Sequence, residues 1–392
     1  MNNSIIQNIK KSYSDVFSAN PRLVRAPGRI NLIGEHTDYN LGFVFPAAVA
    51  QSIYFAIGAT DKPYSSAISL DQDETFQFKL ENITPVNEKS WKNYILGVVG
   101  EIQKTGREVR NFNVVFAGDI PMGSGMSSSA ALECGLGLGL NELFDLGFSR
   151  VELAHMGQAA EHNYVGVKCG IMDQFASLMG KKDQAFVLDC KSLDYTYFPL
   201  NLEEYEWLLI NSNVHHSLAD SEYNVRRQQC EEGVEIVKTK FPEAHSLRDV
   251  SFEMLGELKT KMDRLVYKRC KYVLEENNRV EEMSKALKSN DLTRVGEILK
   301  RGQLGMKEEY EITCPEIDFL ADFANAHDAV LGARMMGGGF GGCTINLVKK
   351  SHRQSFIKSI SSHYSNAFSQ NIAAVPVSIG DGVELISDIY AQ

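Results

Sequence analysis

Pro121-Met122-Gly123-Ser124-Gly125-Met126-Ser127-Ser128-Ser129-Ala130-Ala131 follows the apolar run Val114-Val115-Phe116 and precedes the helical pattern Leu132–Leu143. Strand, glycine loop and helix start in that order mark a mixed α/β chain. Gly123 and Gly125 let backbone amides approach an anion closely. The helix N-terminus adds unpaired N–H groups and positive dipole, and Ser127, Ser128 and Ser129 add hydroxyls. By construction this is a phosphate cradle; the plainer alternative is a glycine-serine loop with Ser127 as N-cap. The lysine of G-x-x-x-x-G-K-[ST] is missing, which excludes a Walker-type P-loop.

Outward from the loop, the first half alternates strand-like segments (Ser52–Ala59, Thr75–Leu80, Asn113–Ala117) with helix-like ones (Lys92–Thr105, Met126–Leu143, Arg150–Tyr164). Ser149-x-x-Glu152 supplies a capping box for the third helix. The run Trp207-Leu208-Leu209-Ile210 reads as a buried strand, and amphipathic stretches over Glu222–Lys240, Met262–Leu287 and Leu292–Glu308 make the second half richer in helix. The chain closes as strand, helix and strand over Cys343–Val348, Gln354–Tyr364 and Ala373–Ile379, an α+β ending. A boundary near residue 205 divides the chain into 1–205 and 206–392, with no evident linker and no internal repeat.

With 392 residues, 44% hydrophobic and 23% charged, the chain can bury a large core without disulfides. A net charge of -10 gives no general attraction to nucleic acid or anionic lipid, so an anionic ligand must be held locally. No run of eighteen apolar residues is present and the N-terminal stretch lacks the apolar core of a secretory signal, so a cytoplasmic protein is expected. The seven cysteines contain no C-x-x-C pair, which argues against a disulfide framework or a zinc ribbon.

Arg25–Tyr39 (RAPGRINLIGEHTDY) is dense in ionisable side chains, chemistry a core strand does not need. Arg29, Glu35, His36 and Asp38 supply a cation, two acceptors and an ambivalent imidazole, the inventory for gripping a polyhydroxylated molecule, and a sugar is the first ligand to suspect. Gly332–Gly342 (GARMMGGGFGG) satisfies G-x-G-x-x-G formally, but a strand follows where a dinucleotide fold needs a helix. Close backbone approach to a ligand or loop explains so many glycines, and a structural turn does so equally. In Glu161–Gln174 (EHNYVGVKCGIMDQ), Asp173 opens an apolar run. It either caps a helix or presents a carboxylate to a cleft, where Arg29 facing it would favour ionisation and offer charge to a reacting phosphoryl group. His155 and His162 share a helical face without completing a metal set, and read as packing and surface. Tyr223, at a helix start, can offer its hydroxyl to a ligand.

The first, second and third of these motifs, at Pro27–Tyr39, Pro121–Ala131 and Gly332–Gly342, occur in the order and at the separations that resemble the GHMP family of small-molecule kinases over nearly the whole chain. Pro27–Tyr39 narrows the resemblance to the branch that phosphorylates galactose. The resemblance implies a two-domain α/β (α+β) fold, an N-terminal ribosomal-S5-like domain packed on a ferredoxin-like C-terminal domain with the site in the cleft between them. It implies ATP and Mg2+, galactose phosphorylated at its C1 hydroxyl as the entry step of galactose metabolism, and a monomer without nucleic-acid or membrane partners. Residue by residue, it implies sugar contacts from Glu35, His36, Thr37, Asp38, Gly170, Asp173 and Tyr223. Asp173 is implied as the base toward the C1 hydroxyl and Arg29 as its stabiliser and that of the moving phosphoryl. ATP is implied to lie on Gly123, Ser124, Gly125, Met126, Ser127, Ser128 and Ser129, with Ser69 a further nucleotide contact, and magnesium on Ser129 and Glu161. The alternatives are a sibling kinase for N-acetylgalactosamine or L-arabinose, and a non-catalytic sensor of galactose and ATP; the intact serine loop, Asp173 and Arg29 argue against the sensor.

Overall fold

The computed structural model describes residues 1–386 other than 89, 122 and 216–218. Met122 of the glycine loop and residues 216–218 ahead of Tyr223 therefore lie outside the described residues. The first half runs α1 (Asn3–Phe17), β1 (Arg22–Asn31), β2 (Phe43–Val44), β3 (Pro46–Ala59), β4 (Ser65–Ser69), β5 (Glu74–Phe78), α2 (Lys92–Lys104), β6 (Phe112–Gly118), α3 (Ser128–Phe144), α4 (Arg150–Ala160), α5 (Met172–Met179), β7 (Gln184–Asp189) and β8 (Tyr195–Pro199). The second half adds β9 (Tyr205–His215), α6 (Ala219–Lys238), α7 (Phe252–Glu257), α8 (Arg264–Lys288), α9 (Leu292–Gly305), α10 (Pro315–Asn325), β10 (Val330–Met336), β11 (Gly341–Lys349), α11 (Arg353–Phe368), β12 (Ala373–Pro376) and β13 (Glu384–Leu385).

The long strand β3 organises the first half through its two-residue period. Ile53, Phe55 and Ile57 enter the core shared with α2 and α3, while Tyr54 and Ala56 face Ile6, Ile9 and Tyr13 of α1. The sheet order is β13-β1-β3-β6-β4-β5, antiparallel except where β4 runs parallel to β6. At the start of α4, Ser149 and Glu152 form the capping box that their spacing predicts.

The second half is a β-α-β-β-α-β unit built from β9, β10, β11 and β12, with helices in both crossovers. Its strand order β10-β11-β9-β12 is that of a ferredoxin-like sheet. One face packs on α10 and α11 through Leu208, Ile210, Leu320, Phe356 and Ile360. The other belongs to a core in which Ile30, Ile33 and Phe45 of the first half meet Leu209, Ile345, Val280 and Leu299 of the second. The chain returns at its end, placing β13 beside β1 in the first sheet.

One expectation fails. Arg25–Tyr39 does not avoid the core: Arg22–Asn31 is strand β1, with nine of its ten residues buried. Burial is possible because the charges are paired. Arg25 donates to Glu384 at 2.9 Å and to the carbonyls of Asp381 and Gly382, and Arg29 pairs with Asp173.

Candidate active site

Five pieces of chain converge where the two halves meet: the end of β1 with the turn after it, the N-terminus of α3, the N-terminus of α5, the β10–β11 hairpin, and the first turns of α6. They enclose a cavity of about 210 Å³ lined by residues that include Arg29, Glu35, His36, Asp38, Gly170, Asp173 and Tyr223. Ser129 and Glu161 also line it. A groove of about 470 Å³ walled by Gly123–Ser129 and Gly338–Gly342 shares Ser129, Gly338 and Gly339 with it. A cleft of about 520 Å³ bounded by Ser69, Trp91, Tyr94 and Phe116 shares Ser128 and Ser129 with that groove. Ser129 borders all three spaces.

Arg29 and Asp173 form the joint. Arg29 Nε donates to Asp173 Oδ1 at 2.8 Å and Nη2 to Oδ2 at 2.7 Å, a two-pronged pair. Arg29 Nη1 donates to the Gly125 carbonyl, tying the pair to the glycine loop. Ser127 is the N-cap by position, but its backbone is left-handed (φ 57°) and makes no side-chain cap bond. Its hydroxyl donates instead to Asp173 Oδ2 at 2.6 Å. Asp173 lies in the first turn of α5, whose N-cap residue is Ile171. A carboxylate accepts about four hydrogen bonds; among the described residues three sites are occupied and one remains on Oδ1.

The sugar-motif residues are tied largely to the protein. Glu35 Oε2 accepts from Arg334 and from Asn31, both at 2.7 Å, and Oε1 from the Gly337 amide at 3.0 Å. Burial pushes its carboxyl up to about 7 against the pull of Arg334. His36 Nε2 lies 3.1 Å from the Gly338 carbonyl, which only accepts, so Nε2 carries the proton. Nδ1 then accepts from Tyr39 Oη at 2.7 Å, and Tyr39 in turn accepts from Tyr310 at 2.8 Å. Burial lowers the imidazole to about 3, so His36 is neutral. Asp38 accepts from the Tyr39 amide at 2.9 Å, and burial, reinforced by the charge of Asp173, raises it to about 6. Gly170 lies against that carboxylate: a Cβ there would come within 2.0 Å of Asp38 Cγ and Oδ2, so no side chain fits. Thr37 does not line the cavity, because its buried hydroxyl sits between the carbonyls of Gly34 and Phe43 at 2.8 and 2.6 Å. Tyr223 packs its ring 4.8 Å from that of His36.

Behind Ser129, the buried carboxylates Glu133 and Glu161 share the amide of Gln174, at 3.0 and 3.4 Å. Burial and the charge of Glu161 raise Glu133 well above the usual carboxylate range. Glu133 Oε1 and Gln174 Oε1 lack a partner among the described residues. The Ser129 hydroxyl and the Glu161 carboxylate, both lining the cavity, are hard oxygen donors suited to a divalent cation. His162 Nε2 donates to the Cys169 carbonyl at 2.8 Å, a packing role.

Sequence reasoning missed Arg334, Tyr39, Tyr310, Glu133 and Gln174. Arg334 carried a signal, as the one charged side chain in the apolar strand Val330–Met336. The others are ordinary members of helices and turns.

Three family models match the chain: the galactokinase galactose-binding signature over residues 11–59, the GHMP kinases N terminal domain over 93–181, and the GHMP kinases C terminal over 283–366. The chain is 41% identical to the galactokinase of Thermosipho africanus, over 93% of this chain and 99% of that one. It is 38% identical to the galactokinase of Clostridium acetobutylicum, over 96% of each. Its fold matches a Lactococcus lactis galactokinase solved with galactose at a TM-score of 0.94 and 33% identity, covering 97% of this chain and 100% of that one. A mevalonate kinase matches at a TM-score of 0.64 and 16% identity over 92% and 99%, a likeness of fold alone.

Proposed function

Because the chain belongs to the galactokinase family of GHMP kinases, we propose that it transfers the γ-phosphoryl group of ATP to the C1 hydroxyl of galactose. The reading is carried by one observation: Asp173, paired to Arg29, lines the cavity of the sugar motif and is tied to the glycine loop that walls the groove, directly by Ser127 and through Arg29 by the Gly125 carbonyl. Galactose occupies the cavity against Asp38, Gly170, Tyr223 and Asp173. The triphosphate runs along Gly123–Ser129, and the base lies in the cleft beside Ser69 and Trp91.

Phosphoryl transfer passes through a loose transition state with charge on the γ-oxygens, so positioning and electrostatics dominate. The open lone pair of Asp173 Oδ1 receives the C1 hydroxyl and aims it across the joint. That carboxylate accepts the proton as the new P–O bond forms and the bond to ADP breaks, a contribution of roughly 10²–10⁴-fold. Arg29 holds Asp173 in plane and offers positive charge to the moving group, and the loop amides stabilise the phosphate oxygens. Ser129 and Glu161 would hold Mg2+, which when bound neutralises phosphate charge. The same reading divides the chain near residue 205, with the site between the halves. No described helix is long and apolar enough to cross a membrane.

Coupled ADP release with galactose, N-acetylgalactosamine, glucose and L-arabinose tests the substrate. Galactose should give the highest kcat/KM; preference for another sugar would replace galactose, and ATP binding without turnover on any would make the chain a sensor. Asp173→Ala should abolish turnover and leave ATP binding measurable. Retained turnover would remove Asp173 from the chemistry.

A further inference from the structure

The turn that carries Glu35 and His36 is held from outside the motif. We propose that Glu276, a carboxylate brought from the second half by α8, is a positioning residue that sets the geometry of the sugar cavity; this rests on the sugar-kinase reading above. Glu276 is fully buried. Its Oε1 accepts the amides of Gly34 at 2.8 Å and Glu35 at 3.2 Å. Two successive N–H groups aimed at one anion form a nest. The chain can take this path because Gly34 is left-handed (φ 98°). A Cβ at Gly34 would lie 2.7 Å from the Phe43 carbonyl oxygen and 2.9 Å from Val44 Cα.

The opposite pole of the same backbone is gripped by an opposite charge. Arg334 of β10, also fully buried, donates to the carbonyls of Asn31 at 2.6 Å and Leu32 at 2.9 Å and pairs with Glu35. Glu276 is balanced in turn by Arg279, whose Nε donates to Oε2 at 2.6 Å. Glu276, backed by Arg279, and Arg334 thus clamp residues 31–35 between α8 and β10. The surroundings are apolar, with Ile33, Phe45 and Val280 among the neighbours. A buried ion pair is weak evidence for stability, since apolar replacements of similar volume often do as well. What an apolar side chain cannot do here is receive the two amides that orient Glu35 and His36 toward the cavity.

The test compares two double variants that differ only at residue 276: Glu276→Gln with Arg279→Met, and Glu276→Leu with Arg279→Met. Neither leaves an unpaired buried charge; only the first retains an acceptor for the amides. The Leu form should raise the galactose KM by about tenfold or more over the Gln form, the scale of a sub-ångström misplacement, with the ATP KM equal in the two. Equal galactose KM values, or a parallel rise in the ATP KM, would overturn the proposal. If the Leu form does not fold, Glu276→Asp serves instead. Withdrawing the carboxylate by one methylene should raise the galactose KM and spare the ATP KM, and an unchanged galactose KM would overturn it. Galactose turnover by the unmodified chain, measured first, separates failure of the substrate reading from failure of this one.

Discussion

Alanine at position 170 should disable the sugar side of the site and spare the nucleotide side. The added methyl carbon would lie 2.0 Å from Asp38 Cγ and Oδ2 and 2.6 Å from Asp38 Cβ. Non-bonded carbon and oxygen settle near 3.5 Å, so the carboxylate must retreat by roughly 1.5 Å. Little freedom exists to absorb that retreat. Residues Asp38–Asn40 form a short 3-10 turn, and Asp38 is held by the Tyr39 amide at 2.9 Å. A misplacement of about 1 Å costs roughly 10²-fold, so kcat/KM for galactose should fall by about 10²-fold, or about 2.7 kcal/mol of transition-state binding. ADP release is measured first with galactose varied at saturating ATP, then with ATP varied at saturating galactose, alongside thermal unfolding. The expected pattern is a raised galactose KM with an unchanged ATP KM. An unchanged kcat/KM for galactose would refute Asp38 as a sugar contact. Parallel losses in both substrates would refute the separation of the two halves of the site.

Arg29→Lys should lower kcat more than it raises the galactose KM, because a lysine cannot reproduce the two-pronged bond to Asp173 and also reach the Gly125 carbonyl; the reverse pattern would make Arg29 a ground-state binder. In kcat/KM for galactose, an acid limb is expected near the value of about 6 to which burial raises Asp38, since protonation turns one acceptor oxygen into a donor and weakens the other as an acceptor for sugar hydroxyls; a profile flat through that range would refute it. The same shift fixes the sign of a stability effect. The folded state holds the Asp38 proton more tightly than the unfolded chain, so the favourable contribution is present at low pH and is lost as pH rises from the ordinary 3.8 through about 6. Asp38→Asn should therefore raise the thermal midpoint at about pH 8 and change it little at about pH 4, while abolishing galactose turnover; equal shifts at both pH values would contradict the origin in burial.

The parts legible in the sequence are those whose physics is local. Gly123–Ser129 sits between an apolar strand and a helix, and its glycines and serines advertise an anion seat before any contact is known. Ser149 and Glu152 are three residues apart and cap as their spacing predicts. The parts misread depend on partners far along the chain. Ser127 does hold the N-cap position, but its hydroxyl serves Asp173, 46 positions on, a partner its neighbours do not reveal. Strand β1 looked too polar to be buried because Arg29 is neutralised 144 positions away and Arg25 by Glu384. The two-residue strand β13 that carries Glu384 is too short to leave a periodic signal. Long-range pairing also redistributes the roles within the motif. Glu35, His36 and Thr37 direct most of their polar atoms at Arg334, Gly337, Gly338, Tyr39 and the turn itself. A motif therefore names the side chains, whereas partners supplied by α8, β10 and the β10–β11 hairpin decide which of them still face the cavity. That division is why Gly170→Ala, acting on Asp38, and the residue-276 variants, acting behind Glu35, should both weaken galactose binding through different atoms.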